Sequence, residues 1–187
     1  AETLRSGWIT TGPRTKQLER ELADWIGTEK CVCLSSQTAC AEMALRLLGI
    51  GKGDEVIVPA YTYTASASVI DHVGAKIVMI DSQPDNLEMD YDAMEAAITE
   101  RTKAIIPVDL GGVPCDYARI FEIVERKRNL FQPSNEIQRA IGRIAVCADA
   151  AHAFGATWHG QMIGKTLDHG QPLHSPLCSS LDTRMAP

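Results

Sequence analysis

The chain has 187 residues, 45% of them hydrophobic and 22% charged, enough to bury one substantial core as a single domain. Eighteen Lys and Arg against 24 Asp and Glu give a net charge of −6 with no basic stripe, which argues against nucleic acid as a partner. No apolar run approaches the roughly 20 residues of a membrane span and no basic-then-apolar leader opens the chain, so a cytoplasmic location is the default expectation.

The first predicted element is a helix opened by Pro13, with Leu18, Leu22, Trp25 and Ile26 on one face and Gly27 as its stop. Five short apolar runs follow at 31–34, 56–58, 77–80, 104–108 and 144–147, each with the composition of a buried strand. Between them lie helix-like stretches. The first carries Ala39, Met43, Leu47 and Leu48, and the second Tyr61, Ala65, Val69, Ile70 and Val73. Tyr91, Met94, Ala97 and Ile98 mark another, and Ile120, Ile123 and Val124 the last. Arg126, Lys127 and Arg128 read as the solvated end of that helix, and 128–136 as a long loop. Apolar strands alternating with amphipathic helices predict an α/β fold: a three-layer α/β/α arrangement with a mostly parallel sheet covered on both faces.

The six cysteines form no C-x-x-C pair and have no histidine at ligand spacing, so no metal site is expected. Cys31, Cys33 and Cys147 fall in apolar runs and read as reduced core residues.

Ligands of parallel sheets bind beyond the carboxyl ends of the strands, so the residues just after each run are where chemistry is sought. After 31–34 come Ser35, Ser36, Gln37 and Thr38 at the start of a helix, a suitable cradle for a phosphate; Ser36 reads equally as an N-cap. After 56–58 come Tyr61 and Tyr63, either of which can stack on a flat ligand or pack into the core. Asp81 and Asp109 each end a run and read as site residues, turn formers or caps. Asp149 follows 144–147 and is itself followed by the small residues Ala150 and Ala151, then His152, Ala153, Phe154 and Gly155. An acid there can hold a cationic ring nitrogen, with room for the ring beside it.

Taken together with Ser6-Gly7-Trp8-Ile9-Thr10-Thr11-Gly12-Pro13, Gly51-Lys52-Gly53-Asp54-Glu55, Gly74-Ala75 and Trp158-His159-Gly160-Gln161-Met162-Ile163-Gly164, these motifs resemble the DegT-type (DegT/DnrJ/StrS) sugar aminotransferases. The resemblance implies the large domain of a fold-type-I transferase that uses pyridoxal 5′-phosphate (PLP). It places Asp149 at the ring nitrogen, Tyr63 against the ring face, Gln37 and Thr38 in the phosphate turn, and His152 near the ring hydroxyl. It further implies a nucleotide-sugar substrate, an amino acid donor and a homodimer. Dehydration of a sugar and a non-catalytic binding or dimerisation module are the alternatives within the same fold.

The resemblance runs from Ser6 to about Lys165, so residues 1–165 are expected to form the PLP-binding domain, incomplete at its end. Residues 166–187, which hold Pro172 and Pro176 and no lysine, read as an irregular tail. There the family's Schiff-base lysine has no match and its small second domain is absent. Lys165, His169 and His174 are not promoted to the lysine's role.

Overall fold

The structure, a computed structural model, describes residues 1–8 and 10–164. Its centre is a four-stranded parallel sheet in the order β2-β1-β3-β4, with β1 at Glu55–Pro59, β2 at Lys76–Ile80, β3 at Thr102–Ile105 and β4 at Ala145–Val146. Four of the five predicted runs are these strands. The β3–β4 pairing continues past the strands, since Asp149 N–H donates to the Pro107 carbonyl at 2.8 Å and Asp109 N–H to the Asp149 carbonyl at 3.0 Å. Two aspartates are thereby brought side by side at the carboxyl end of the sheet.

Alternation along the strands builds two cores. Val56, Val58, Ala104, Ile106, Ala145 and Cys147 face helices α3 (Gln37–Leu47) and α4 (Thr64–His72), packing on Ala41, Leu45, Val69 and Ile70. Ile57, Ile105, Ile144 and Val146 face the other way, toward α5 (Tyr91–Ala97) and α6 (Tyr117–Arg126), and meet Met94, Ile120, Ile123 and Val124. This is the predicted three-layer α/β/α sandwich, and the period of two inside otherwise continuous apolar runs is what feeds both layers.

Several readings are corrected. The run 31–34 is not a strand: Cys33 N–H bonds the Glu19 carboxylate on α2 (Pro13–Ile26), the helix after the short α1 (Glu2–Arg5), at 3.0 Å instead of a sheet neighbour. Val32 is exposed, and Cys31 and Cys33 are only half-buried, unlike the buried Cys147. The inward face of α3 is also not the predicted one. Met43 and Leu47 point outward, whereas Cys40, Ala41, Ala44 and Leu45 pack inward, because small residues let α3 lie close to α4. On α2, Leu22 and Ile26 are buried while Leu18 and Trp25 remain on the surface.

The stretch 128–136 is no open loop. It folds into a single 3-10 turn, Arg128–Leu130, and leads to α7 (Glu136–Ile141), which Asn135 caps by accepting from Gln138 N–H at 2.9 Å. Asn135 and Gln138 both donate to the Leu48 carbonyl, at 2.9 and 2.8 Å, pinning this segment to the end of α3. Beyond Asp149, strands β5 (Thr157–Trp158) and β6 (Gln161–Met162) form the expected hairpin, with positive φ at both His159 and Gly160 as a two-residue I′ turn requires. Lys165, His169, His174 and the expected tail 166–187 lie outside the described residues.

Candidate functional site at the carboxyl end of the sheet

Asp149 stands at the end of β4 with 6% of its surface exposed. Its Oδ2 accepts from Ser66 Oγ at 2.9 Å, and its Oδ1 from the Ala151 N–H at 3.3 Å. Burial pushes the carboxyl above its ordinary value, and the Ser66 and Ala151 donors together with His152 pull it partway back. Among the described residues no lysine or arginine forms an ion pair with it. A buried acid with hydrogen bonds but no counter-charge is suited to a cationic ligand group.

Tyr63 is the N-cap residue of α4, in the turn that follows β1, and is 80% exposed. The core-packing alternative is therefore excluded for Tyr63, and also for Tyr61, which is likewise exposed. Tyr63 is tied to Asp149 through one turn of helix: Ser66 N–H donates to the Tyr63 carbonyl at 3.2 Å, and Ser66 then reaches Asp149.

His152 lies three residues past Asp149, exposed, with its Nδ1 accepting from the Gly111 N–H at 3.3 Å. The turn 109–115 is pressed against it. Gly112 has φ +84°, and a Cβ there would sit 3.0 Å from the His152 carbonyl oxygen. Only glycine fits both the backbone angle and that approach.

Gln37 and Thr38 open α3, whose N-cap Ser36 accepts from Ala39 N–H at 3.1 Å, so the cap reading of Ser36 holds. The amides of Gln37 and Thr38 precede the first intrahelical bond and are free to meet an anion. Because α3 leads by a short connection to the start of β1, its N-terminus lies toward the carboxyl end of the sheet. No hydrogen bond among the described residues joins Gln37 or Thr38 to the other three candidates.

Asp81 is a turn former, accepting from Ser82 N–H at 2.8 Å. Asp109 is more than that. It is fully buried, its Oδ1 accepts from Cys115 N–H at 2.9 Å and from the Tyr117 hydroxyl at 2.8 Å, and its Oδ2 has no partner among the described residues. Burial raises its proton affinity, the donors oppose that rise, and neighbouring Asp149 adds to it. Asp109 closes the turn that holds His152. Nothing in the sequence distinguishes it from a turn residue, and nothing marks Ser66 among the four serines and threonines of 62–68.

The residues present fit the PLP expected from the sequence resemblance. An uncompensated buried acid, an exposed ring and a free helix N-terminus offer partners for a protonated ring nitrogen, an aromatic face and a phosphate. Comparison with known proteins agrees. Residues 1–171 match the DegT/DnrJ/EryC1/StrS aminotransferase family. The chain belongs to that family.

Among relatives of this DegT-family chain, a UDP-4-amino-4-deoxy-L-arabinose–oxoglutarate aminotransferase of Shewanella sediminis is 43% identical over 166 residues, 89% of this chain and 39% of the relative. A protein of Streptococcus pneumoniae assigned as a sugar aminotransferase, solved in apo, PMP and PLP forms, is 60% identical with a TM-score of 0.86, covering 87% of this chain. GDP-4-keto-6-deoxymannose-3-dehydratase, with a trapped PLP-glutamate geminal diamine, is 25% identical with a TM-score of 0.73. The chain spans 39% of the length of the curated relative and 41% of that of the apo streptococcal structure. The fold is that of the PLP-dependent type I transferases.

Proposed function

We propose that residues 1–165 form the cofactor-binding domain of a PLP-dependent aminotransferase that moves an amino group from an amino acid donor to a keto group on a nucleotide-linked sugar. The observation that carries this reading is Asp149, buried at the carboxyl end of a parallel sheet with no lysine or arginine paired to it among the described residues. Its role is to hold a proton on the ring nitrogen. When bound, PLP supplies the electron sink that lowers the barrier to removing a proton next to nitrogen.

Tyr63 covers the ring face and helps exclude water, while Gln37 and Thr38 hold the phosphate through the opening amides of α3. His152, its Nδ1 side turned to Gly111, lies on the ring-hydroxyl side. Transamination is preferred to dehydration because the two relatives with the higher identities, at 43% and 60%, are described as aminotransferases. A homodimer in the cytoplasm is part of the same proposal and is supported by family analogy. Among the described residues, no helix is long and apolar enough to cross a membrane.

The test is titration of the purified chain with PLP, followed by absorbance and fluorescence, beside Asp149→Ala. Saturable binding in the parent and a loss of tenfold or more in Asp149→Ala are expected, since a charge-assisted bond to a buried acid is among the strong ones. Equal spectra would remove Asp149 from the site. Borohydride reduction and peptide mass spectrometry complete the test, since an adduct confined to one lysine would place that lysine in the site.

A further inference from the structure

Ser66 is 1% exposed, on the first turn of α4, and its side chain leaves its own helix to reach across to the end of β4. Its neighbour Ser68 behaves in the ordinary way for a helical serine, donating to the Ala65 carbonyl of the same helix at 3.2 Å. Ser66 instead stands between two oxygens, Asp149 Oδ2 at 2.9 Å and Thr62 Oγ1 at 3.0 Å. Thr62 is half-buried and lies next to the exposed Tyr63.

A hydroxyl has one proton to give. An ionised carboxylate can only accept, so while Asp149 is charged the Ser66 proton points to Oδ2 and the Thr62 proton points to Ser66. Protonation of Oδ2 would reverse both. The line of three groups therefore has a direction tied to the charge on Asp149. It also allots the two carboxylate oxygens. Ser66 engages Oδ2 through the shorter bond, and Oδ1, with only the longer Ala151 contact, is the less engaged oxygen for a further donor.

We propose that Ser66, oriented by Thr62, is the positioning residue that keeps Asp149 ionised and turned with Oδ1 toward the cofactor ring. The role of Asp149 rests on the function proposed above; the Ser66–Asp149 coupling does not need it. A serine at this place thus does for the acid what a lysine or arginine would do elsewhere, without placing a permanent cation where the cationic ring must sit.

The experiment is a pH titration of the ligand-free chain carrying carboxyl-13C aspartate, followed by NMR, with Asp149→Asn identifying the Asp149 resonance. Ser66→Ala should raise the Asp149 titration midpoint by about one pH unit, a tenfold gain in proton affinity, because a hydrogen bond to a charged group is lost. Ser66→Thr should return it to the parental value, and Thr62→Val should give a smaller shift in the same direction. An unmoved midpoint in Ser66→Ala, or no rescue by threonine, would overturn the proposal. If Ser66→Ala does not fold, Thr62→Val decides the matter alone, and no upward shift there counts against it. If Asp149→Ala leaves PLP binding intact while Ser66→Ala still moves the Asp149 midpoint, the cofactor reading fails and the coupling stands.

Discussion

The two ends of the sheet treat buried carboxyl groups in opposite ways. At the amino end, Glu55 is 2% exposed yet fully compensated: Arg101 reaches its Oε1 at 2.8 Å, Lys76 the same oxygen at 3.1 Å, and the Thr99 hydroxyl its Oε2 at 2.6 Å. Burial pushes this group up, but the hydroxyl and the two cations outweigh it and hold the carboxyl below the usual glutamate range. At the carboxyl end, Asp149 and Asp109 are as deeply buried, have only neutral donors, and are raised instead. The first end compensates its buried charge with cations, and the second leaves its acids to neutral donors. A fold that supplies an arginine to Glu55 supplies none to Asp149 among the described residues, and under the proposed function this leaves the Asp149 charge for the ring nitrogen of PLP.

Breaking the amino end should have the largest effect on stability. Glu55→Gln keeps the shape but removes the charge that Arg101 and Lys76 share, and leaves an amide N–H facing cations. A loss of about 2 kcal/mol is expected, in the range for hydrogen bonds to a charged group, since Arg101 and Lys76 are largely exposed and stay solvated; it is read as a lowered midpoint in urea unfolding. PLP affinity in the surviving folded fraction should be unchanged, because the site lies at the other end of the strands. A matching loss of affinity would show that the two ends are not separate.

At the carboxyl end, the backbone is the more sensitive target. Gly112→Ala places a Cβ 3.0 Å from the His152 carbonyl at a positive φ, so the turn must shift. A cost of about 1 to 2 kcal/mol is expected. The same variant should weaken PLP binding through displacement of His152, an effect that Glu55→Gln lacks. Stability falling without any change in binding would place His152 outside the site.

How much of this contrast was legible in sequence follows the range of the forces involved. The strands at 56–58, 77–80, 104–108 and 144–147 announce themselves because burial on both faces demands unbroken apolar runs. Residues 31–34 have the same composition, but a strand exists only where another strand pairs with it, and none among the described residues does. The inward face of α3 was misread because Ala39, Cys40, Ala41, Met43, Ala44, Leu45 and Leu47 put apolar groups nearly all round that helix, so its packing against α4 decides. Asp149 stood out by the small residues Ala150 and Ala151 and by His152 that follow it. Ser66 and Asp109 did not, since a serine on a helix and an aspartate after a strand are common, and only tertiary contacts separate them from their bland equivalents.

The smallest effect sharpens the comparison most, because its sign differs between the two ends. Glu55 has a lowered proton affinity in the folded state, so it contributes stability above the ordinary glutamate value, and that contribution fades as the pH falls through its folded value. Asp149 has a raised affinity, so the folded state binds more protons than the unfolded one above the ordinary aspartate value. Stability therefore declines as the pH rises through that window. Asp149→Asn removes the decline while keeping an acceptor for Ser66. It should stabilise the ligand-free chain at neutral pH by about 1 kcal/mol, and leave the acid limb set by Glu55 intact. Unfolding curves collected across pH, with and without PLP, would show this. Saturating PLP should flatten the same decline in the parent, since a cationic ring beside Asp149 favours its charged form, and should do nothing for Asp149→Asn. A decline that survives the substitution would assign it to Asp109, the other raised acid at this end, which has one oxygen without a partner among the described residues.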